Sequence, residues 1–410
     1  MDTVPLDLIP IIFNYILKIT DKRQFTQTCK TYNVMTKKLI KNFELKFKPK
    51  YLYYINNYCV EKFTLELCHD EYFHLIPFSY LTPENNVIIS ALSLYGRIDL
   101  LQVAVDNGCQ LIKNDLGTEG TYCCNMAAIN GHLETLKLLK QNGCKLGADT
   151  CARAAENRHY KLLRWLRGKD NECDWDERVC AGIAKNGDLD VLKWARERGC
   201  NWDANTCAMA AENGHLELLK WARKMRCPWN TNICTYAARN GHLDILKFAI
   251  IGNENDNIRT RGPRCPWNEY ACAEAAKYGH LGVLKWLIKN ACPMDINAYR
   301  YAALNGHLDI LIWLNAQKPI SKYENLCRWA AENGHLNVIE WTIENGSEWD
   351  MYTCEIAAKN GHLDILKWVN TKELLWNIND CISAAKMNKH KDVVKWLKNQ
   401  NINHNMLTVR

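Results

Sequence analysis

A 24-residue string, TCAMAAENGHLELLKWARKMRCPW, runs from Thr206 to Trp229, and altered copies of it fill most of the chain. A chain built of copies of itself folds by stacking like on like, so the repeat constrains the fold before any other feature. Its Gly-His anchor recurs at Gly131, Gly214, Gly241, Gly279, Gly306, Gly334 and Gly361, with degenerate forms at Gly96, Arg158, Gly187 and Lys389. The commonest spacing is 27 residues, with 28 or 29 elsewhere. Two intervals are longer: 35 residues from Gly96 to Gly131 and 38 from Gly241 to Gly279. About eleven units cover residues 87–398.

Each unit reads as two short helices. Helix A begins near Asn205 and Thr206, whose side chains suit a helix N-terminus. The Ala210-Ala211 pair permits close approach of a neighbour, and Asn213-Gly214 ends the helix, since glycine accepts the left-handed conformation. Helix B starts at His215, carries Leu216, Leu218, Leu219 and Trp221, and stops before Cys227-Pro228. Neither helix is long enough to persist alone, so the units must bury each other's faces. The expected fold is an all-α solenoid of about eleven helix pairs.

The strings AAENGHLELLKW, AARNGHLDILKF, AALNGHLDILIW and AAKNGHLDILKW resemble the core of the ankyrin repeat. The usual ankyrin unit has 33 residues and a β-hairpin between repeats. Here the unit is shorter and only a turn such as Cys227-Pro228-Trp229-Asn230-Thr231 joins successive pairs, so no hairpin is expected. Cys207 stands where the family's T-P-L-H motif has Leu, and Thr206 where it has Pro. Short repeats with a Cys-Pro-Trp turn are most similar to the ankyrin-type proteins of giant DNA viruses of amoebae. That resemblance implies a viral protein acting in the host cell cytoplasm.

The N-terminus differs. Residues 4–39, VPLDLIPIIFNYILKITDKRQFTQTCKTYNVMTKKL, resemble an F-box, with Pro5 before an amphipathic helix bearing Leu8, Ile9, Ile12, Phe13 and Ile16. The family's frequent Trp after the second helix is absent, and Tyr32 is the nearest aromatic. The resemblance implies docking on the Skp-type adaptor of a cullin-RING ubiquitin ligase through that apolar stripe. A plain helical cap on the first repeat is the competing expectation. The organisation is then residues 1–43 as the F-box-like segment, 44–86 as an irregular helical connector, 87–398 as the solenoid with the N-terminal segment as its small cap, and 399–410 as a tail.

Chemistry-bearing residues recur with the repeat, which argues for packing. The 20 cysteines lack any C-x-x-C, and those of helix A and the turn fall in a C-x6-C pattern. Equivalent positions on neighbouring helices lie about 8–10 Å apart, too far for shared zinc ligation at about 2.3 Å. Cysteine here reads as a small buried hydrophobe. Eight of the 15 tryptophans occupy one helix B slot and six the turn, and both slots read as core. Nine of the 12 histidines follow the anchor, one per unit, and read as helix-start side chains bonded to backbone. No catalytic motif, cofactor loop or metal constellation is found, so the chain is expected to be neither an enzyme nor a cofactor carrier.

Between Lys+Arg 52 and Asp+Glu 45 the formal charge is +7, spread along the chain. No apolar run approaches 18 residues and the N-terminus lacks a basic leader, so neither a membrane span nor a signal peptide is expected, and the cysteines are expected as thiols. What varies between units is the helix A surface: Tyr236, Arg300, Tyr301, Arg328 and Trp329 are candidate partner-binding residues. The insertion between Gly241 and Gly279 adds Arg259, Arg261 and Arg264 as a candidate partner-contacting finger. The expected function is protein–protein interaction by a monomeric solenoid, as a ligase substrate adaptor or as a scaffold or host-factor-masking protein. Nucleic acid is the third and weakest class.

Overall fold

The computed structural model describes residues 86–106, 121–171, 173–252, 264–317 and 325–407. The F-box-like residues Leu8, Ile9, Ile12, Phe13 and Ile16, and the insertion residues Arg259 and Arg261, lie outside them. Every regular element among the described residues is helical. The chain divides into two compact units, Met1–Gly182 and Ile183–Arg410.

In the first, helices pair as α1 (Asn86–Leu94) with α2 (Ile98–Asp106), α3 (Thr121–Ile129) with α4 (Leu133–Gln141), and α5 (Ala148–Glu156) with α6 (Tyr160–Leu166). Helix α7 (Glu177–Asn186) runs through the point of division. The second unit continues with α8 (Leu189–Glu197), α9 (Ala204–Glu212), α10 (Leu216–Lys224), α11 (Thr231–Arg239) and α12 (Leu243–Ile251). After the insertion come α13 (Glu269–Lys277), α14 (Leu281–Lys289), α15 (Ile296–Leu304) and α16 (Leu308–Gln317). The last are α17 (Leu326–Glu332), α18 (Leu336–Glu344), α19 (Tyr352–Asn360), α20 (Leu363–Thr371), α21 (Ile378–Met387) and α22 (Lys391–Leu407), the last extending past residue 398. These 22 helices make eleven A–B pairs among the described residues.

Local chemistry explains each boundary. The caps sit earlier than Asn205 and Thr206: Asp203, Asn230, Asp295 and Asn377, which end each turn, accept a hydrogen bond from the backbone N–H two residues on. Helix A ends in a left-handed glycine, as at Gly214 with φ +79. The His215 N–H then returns to the Ala210 carbonyl at 2.9 Å, closing a Schellman turn. Helix B ends the same way, with the Cys227 N–H on the Ala222 carbonyl at 2.9 Å. Its left-handed position is glycine at Gly143, Gly199 and Gly346, but Arg226, Ala291 and Glu373 elsewhere.

Within each unit the A helices pack side by side and the B helices lie behind them, touching one another far less. The alanine pairs, such as Ala210-Ala211 and Ala275-Ala276, are fully buried where the A helices meet. The histidines do more than bond to backbone locally. Each reaches into the preceding repeat: His132 Nε2–H donates to the Leu94 carbonyl at 3.1 Å and His159 to Ile129 at 2.9 Å. In the second unit His242 donates to Glu212 at 3.2 Å, His280 to Arg239 at 2.9 Å and His335 to Leu304 at 3.1 Å. A carbonyl only accepts, so the bonded Nε2 carries the proton.

The tryptophans correct the expectation of a buried core slot. Trp221, Trp286 and Trp368 are only half-buried, as are the turn residues Trp202, Trp229 and Trp349. Turn and helix B rings meet edge to face, Trp202 with Trp221 at 5.8 Å and Trp267 with Trp286 at 6.3 Å between centroids. An arginine of the preceding helix B covers the turn ring: the Arg223 guanidinium lies 3.7 Å from the Trp229 centroid and donates to the Cys227 carbonyl at 2.6 Å. The true core is Leu218, Leu219 and Ala222 with their counterparts, all essentially without exposure.

Chain direction is preserved across the insertion. It leaves after Gly252, at φ +83, and returns at the exposed Arg264, where the Cys265 N–H bonds the Ala249 carbonyl at 3.1 Å as in units without an insertion.

Candidate partner-binding face

The exposed side of the A-helix row is set by two positions of the repeat. One lies two residues after the helix A cysteine and holds Tyr236, Glu274, Tyr301, Trp329 and Ile356 in successive repeats. The other lies three residues further along and holds Arg239, Lys277, Leu304, Glu332 and Lys359. Three residues is nearly one helical turn, so both positions share a face. The buried Ala-Ala pair lies between them, leaving this face as the outward stripe of the row.

On that stripe, cations and rings alternate from Tyr236 to Tyr352. The Arg239 guanidinium lies 5.0 Å from the Tyr236 ring, bonds Glu274 at 2.7 Å and approaches Glu212 at 3.8 Å. The Glu274 carboxylate beside it raises the Arg239 pKa, which stays charged throughout. Lys277 Nζ sits between two rings, 5.3 Å from Tyr278 and 5.6 Å from Tyr301. Arg300 does the same, 5.9 Å from Tyr301 and 5.8 Å from Trp329. Arg328 lies 4.9 Å from the Tyr352 ring and pairs with Asp350. Arg300, Tyr278 and Tyr352 are exposed, while Tyr236, Tyr301, Arg328 and Trp329 are half-buried.

Of the five helix A residues singled out in the sequence, Tyr236, Tyr301 and Trp329 hold the first of these positions and Arg300 and Arg328 the place just before it, with Arg300 reaching both the Tyr301 and the Trp329 rings. Arg264 lies apart from them, at the return of the insertion. Glu274, a variable helix A position, joins them, and Arg239, Lys277, Asp350 and Tyr352 complete the stripe without having stood out in the sequence. For Arg239 and Lys277 the signal is position: each lies one turn after the variable residue of its own repeat, Tyr236 or Glu274. No helix among the described residues is long and apolar enough to cross a membrane. Among the same residues no three His, Cys, Asp or Glu side chains converge as a metal site.

These repeats match known ones. The family profile described as ankyrin repeats (3 copies) matches residues 234–325, and that described as ankyrin repeats (many copies) matches residues 207–250 and 327–369. Ankyrin repeats thus lie within residues 207–369, and the helices there form all-α pairs. Ankyrin repeats support a role in protein–protein interaction. No curated protein matches the chain.

Proposed function

We propose that the stripe from Tyr236 to Tyr352 docks an acidic segment of a partner protein. The observation that supports this is the environment of Lys277 and Arg300. Both cations lie against aromatic rings, and among the described residues neither pairs with a carboxylate, unlike Arg239 and Arg328 beside them. A partner's Asp or Glu would complete those pairs while Tyr301 and Trp329 take up its apolar side chains. Tyr, Trp and Arg are the types that dominate interface energetics. Panning a displayed peptide library against the full chain tests the reading. Acidic peptides should be enriched, and Trp329→Ala and Arg300→Glu should each weaken them at least tenfold. Enrichment indifferent to both substitutions would sink the proposal.

The ligase-adaptor role is a finer proposal, supported by the Leu8, Ile9, Ile12, Phe13 and Ile16 stripe in the sequence alone. On this reading a monomeric viral protein works in the host cytoplasm, and the repeats select what the ligase modifies. A pull-down with a purified Skp-type adaptor, set against an Ile12→Asp/Phe13→Asp variant, decides it; no capture by the parent leaves a scaffold or masking protein.

A further inference from the structure

The cysteines form pairs that their C-x6-C spacing hides. Within one repeat, the cysteine of helix A faces the cysteine of the turn that follows helix B. Cys151 Sγ donates to Cys173 Sγ at 3.4 Å. The facing cysteine, together with burial, likewise pushes up the thiols of Cys124 (against Cys144), Cys227 (against Cys207), Cys265 (against Cys234) and Cys272 (against Cys292). The turn thiol also points at the carbonyl just before helix A: Cys173 to Gly147 at 3.3 Å, Cys227 to Asp203 at 3.4 Å, Cys265 to Asn230 at 3.2 Å and Cys292 to Asn268 at 3.5 Å. All ten cysteines are buried and all are thiols. The Cys234–Cys265 pair survives the insertion that separates its members in sequence.

We propose that these five pairs are oxidation sites, each closed to an intra-repeat disulfide by a low-molecular-weight disulfide such as oxidised glutathione. A thiolate of the pair attacks the small disulfide, forming a mixed disulfide and releasing one small thiol. The facing sulfur then attacks the mixed disulfide and releases the second. Two thiol protons leave with the two released thiols, and the pair gives up two electrons to the oxidant. At Cys151 and Cys173 the sulfurs need close only from 3.4 Å to about 2.05 Å. Each link ties the first half of helix A to the exit of helix B, closing a loop of about 20 residues, or 31 between Cys234 and Cys265, that ordinary packing holds now. Of the repeats that carry the A-helix stripe, the two holding Tyr236 and Glu274 are thereby stiffened reversibly.

The chain contains its own controls. Cys327, Cys354 and Cys381 occupy the helix A place, but the turns of the first two offer Ser347 and Leu374 instead of cysteine.

The test treats the reduced, folded, full-length chain with oxidised glutathione, alkylates the remaining thiols, and maps linked peptides by mass spectrometry. The expected products join 124 to 144, 151 to 173, 207 to 227, 234 to 265 and 272 to 292, vanish on reduction, and raise the melting temperature. Cys327, Cys354 and Cys381 should be recovered unlinked. In a Cys151→Ser variant the 151–173 link should be lost and the other four retained. Links between sequence neighbours such as Cys144 and Cys151, indiscriminate links that include the three controls, or ten thiols still alkylated after prolonged oxidation would each overturn the proposal.

Discussion

A methyl group on Gly214 would lie 2.8 Å from Cε1 of His242, the ring that the next repeat lays across it. That ring is held by its hydrogen bond to the Glu212 carbonyl at 3.2 Å, two residues before the glycine. The Gly-His anchor is therefore one device shared by two repeats, and its two letters contact across the junction rather than along the chain. An exception agrees with this: Arg158 replaces the glycine where the next repeat carries Asp188 in place of histidine.

Gly214→Ala should therefore cost more than its backbone conformation alone explains. Gly199 has the same φ of +79 but an added Cβ there meets nothing within 4 Å, so Gly199→Ala measures the backbone cost, about 1–2 kcal/mol. Gly214→Ala adds a displaced ring, on the order of 1–3 kcal/mol more. Urea unfolding of both variants checks this, and His242→Ala should shrink the difference between them. Equal losses would dissociate the glycine from the ring.

Arg226→Gly should stabilise. Arg226 is exposed and holds φ 64 at the end of helix B, where three other repeats place glycine. A non-glycine residue pays about 1–2 kcal/mol in this conformation, and glycine's extra chain entropy returns about 0.5–1 kcal/mol of the gain. A net gain of about 0.5–1 kcal/mol is expected from denaturant midpoints, and a loss would mean the arginine side chain matters more than its backbone.

The period, the glycine stops and the alanine pairs were legible in the sequence because each answers a backbone demand local to one helix. Three things were not. The acceptor of His242 lies 30 residues back, at Glu212, so a local pattern shows only that the histidine starts a helix. The partner of Cys151 is not Cys144, seven residues before it, but Cys173 across the whole repeat, a relation that only the helix crossing creates. Trp221 sits at an apolar period and reads as core, but periodicity names a face and not its depth, and the ring ends half in solvent. On the partner-binding face, Tyr301 and Trp329 stood out by size and variability. Lys277 and Arg239 did not, since an isolated cation on a helix resembles any solvated residue until its ring neighbours are placed.

Acid should loosen the repeats before it protonates carboxylates. Burial holds His132 and His335 below the ordinary imidazole value, with neighbouring histidines adding repulsion, against an opposing pull from their carbonyl partners. Unfolded, these rings take a proton near pH 6.5; folded, they take it only at lower pH. Their contribution is thus complete above about pH 6.5 and is lost as pH falls through the lowered folded values. Asp176, held low by its bond from Arg178, fails only in the carboxylate range, so the two windows separate. Melting temperatures should fall between pH 7 and pH 5, and His335→Gln, which keeps a donor for Leu304 but cannot titrate, should flatten that slope. An unchanged slope would assign the acid sensitivity elsewhere.

Truncation of Leu219 should hurt more than truncation of Trp221, although the tryptophan is the larger side chain. Leu219 has no exposed surface and lies in the layer between the A and B helices, so Leu219→Ala leaves a cavity worth about 2–5 kcal/mol. Trp221 is half-buried, and its specific partner is the edge-to-face contact with Trp202 at 5.8 Å, worth about 0.5–1.5 kcal/mol beyond the area it covers. Trp221→Ala also leaves a gap open to solvent, which water fills without the penalty of an enclosed void. A loss of about 1–3 kcal/mol is expected, and Trp202→Ala should be nearly silent in the Trp221→Ala background, because most of what it could remove is already gone. If Trp221→Ala instead exceeds Leu219→Ala in the same denaturant series, the aromatic layer rather than the leucine layer holds the repeats together.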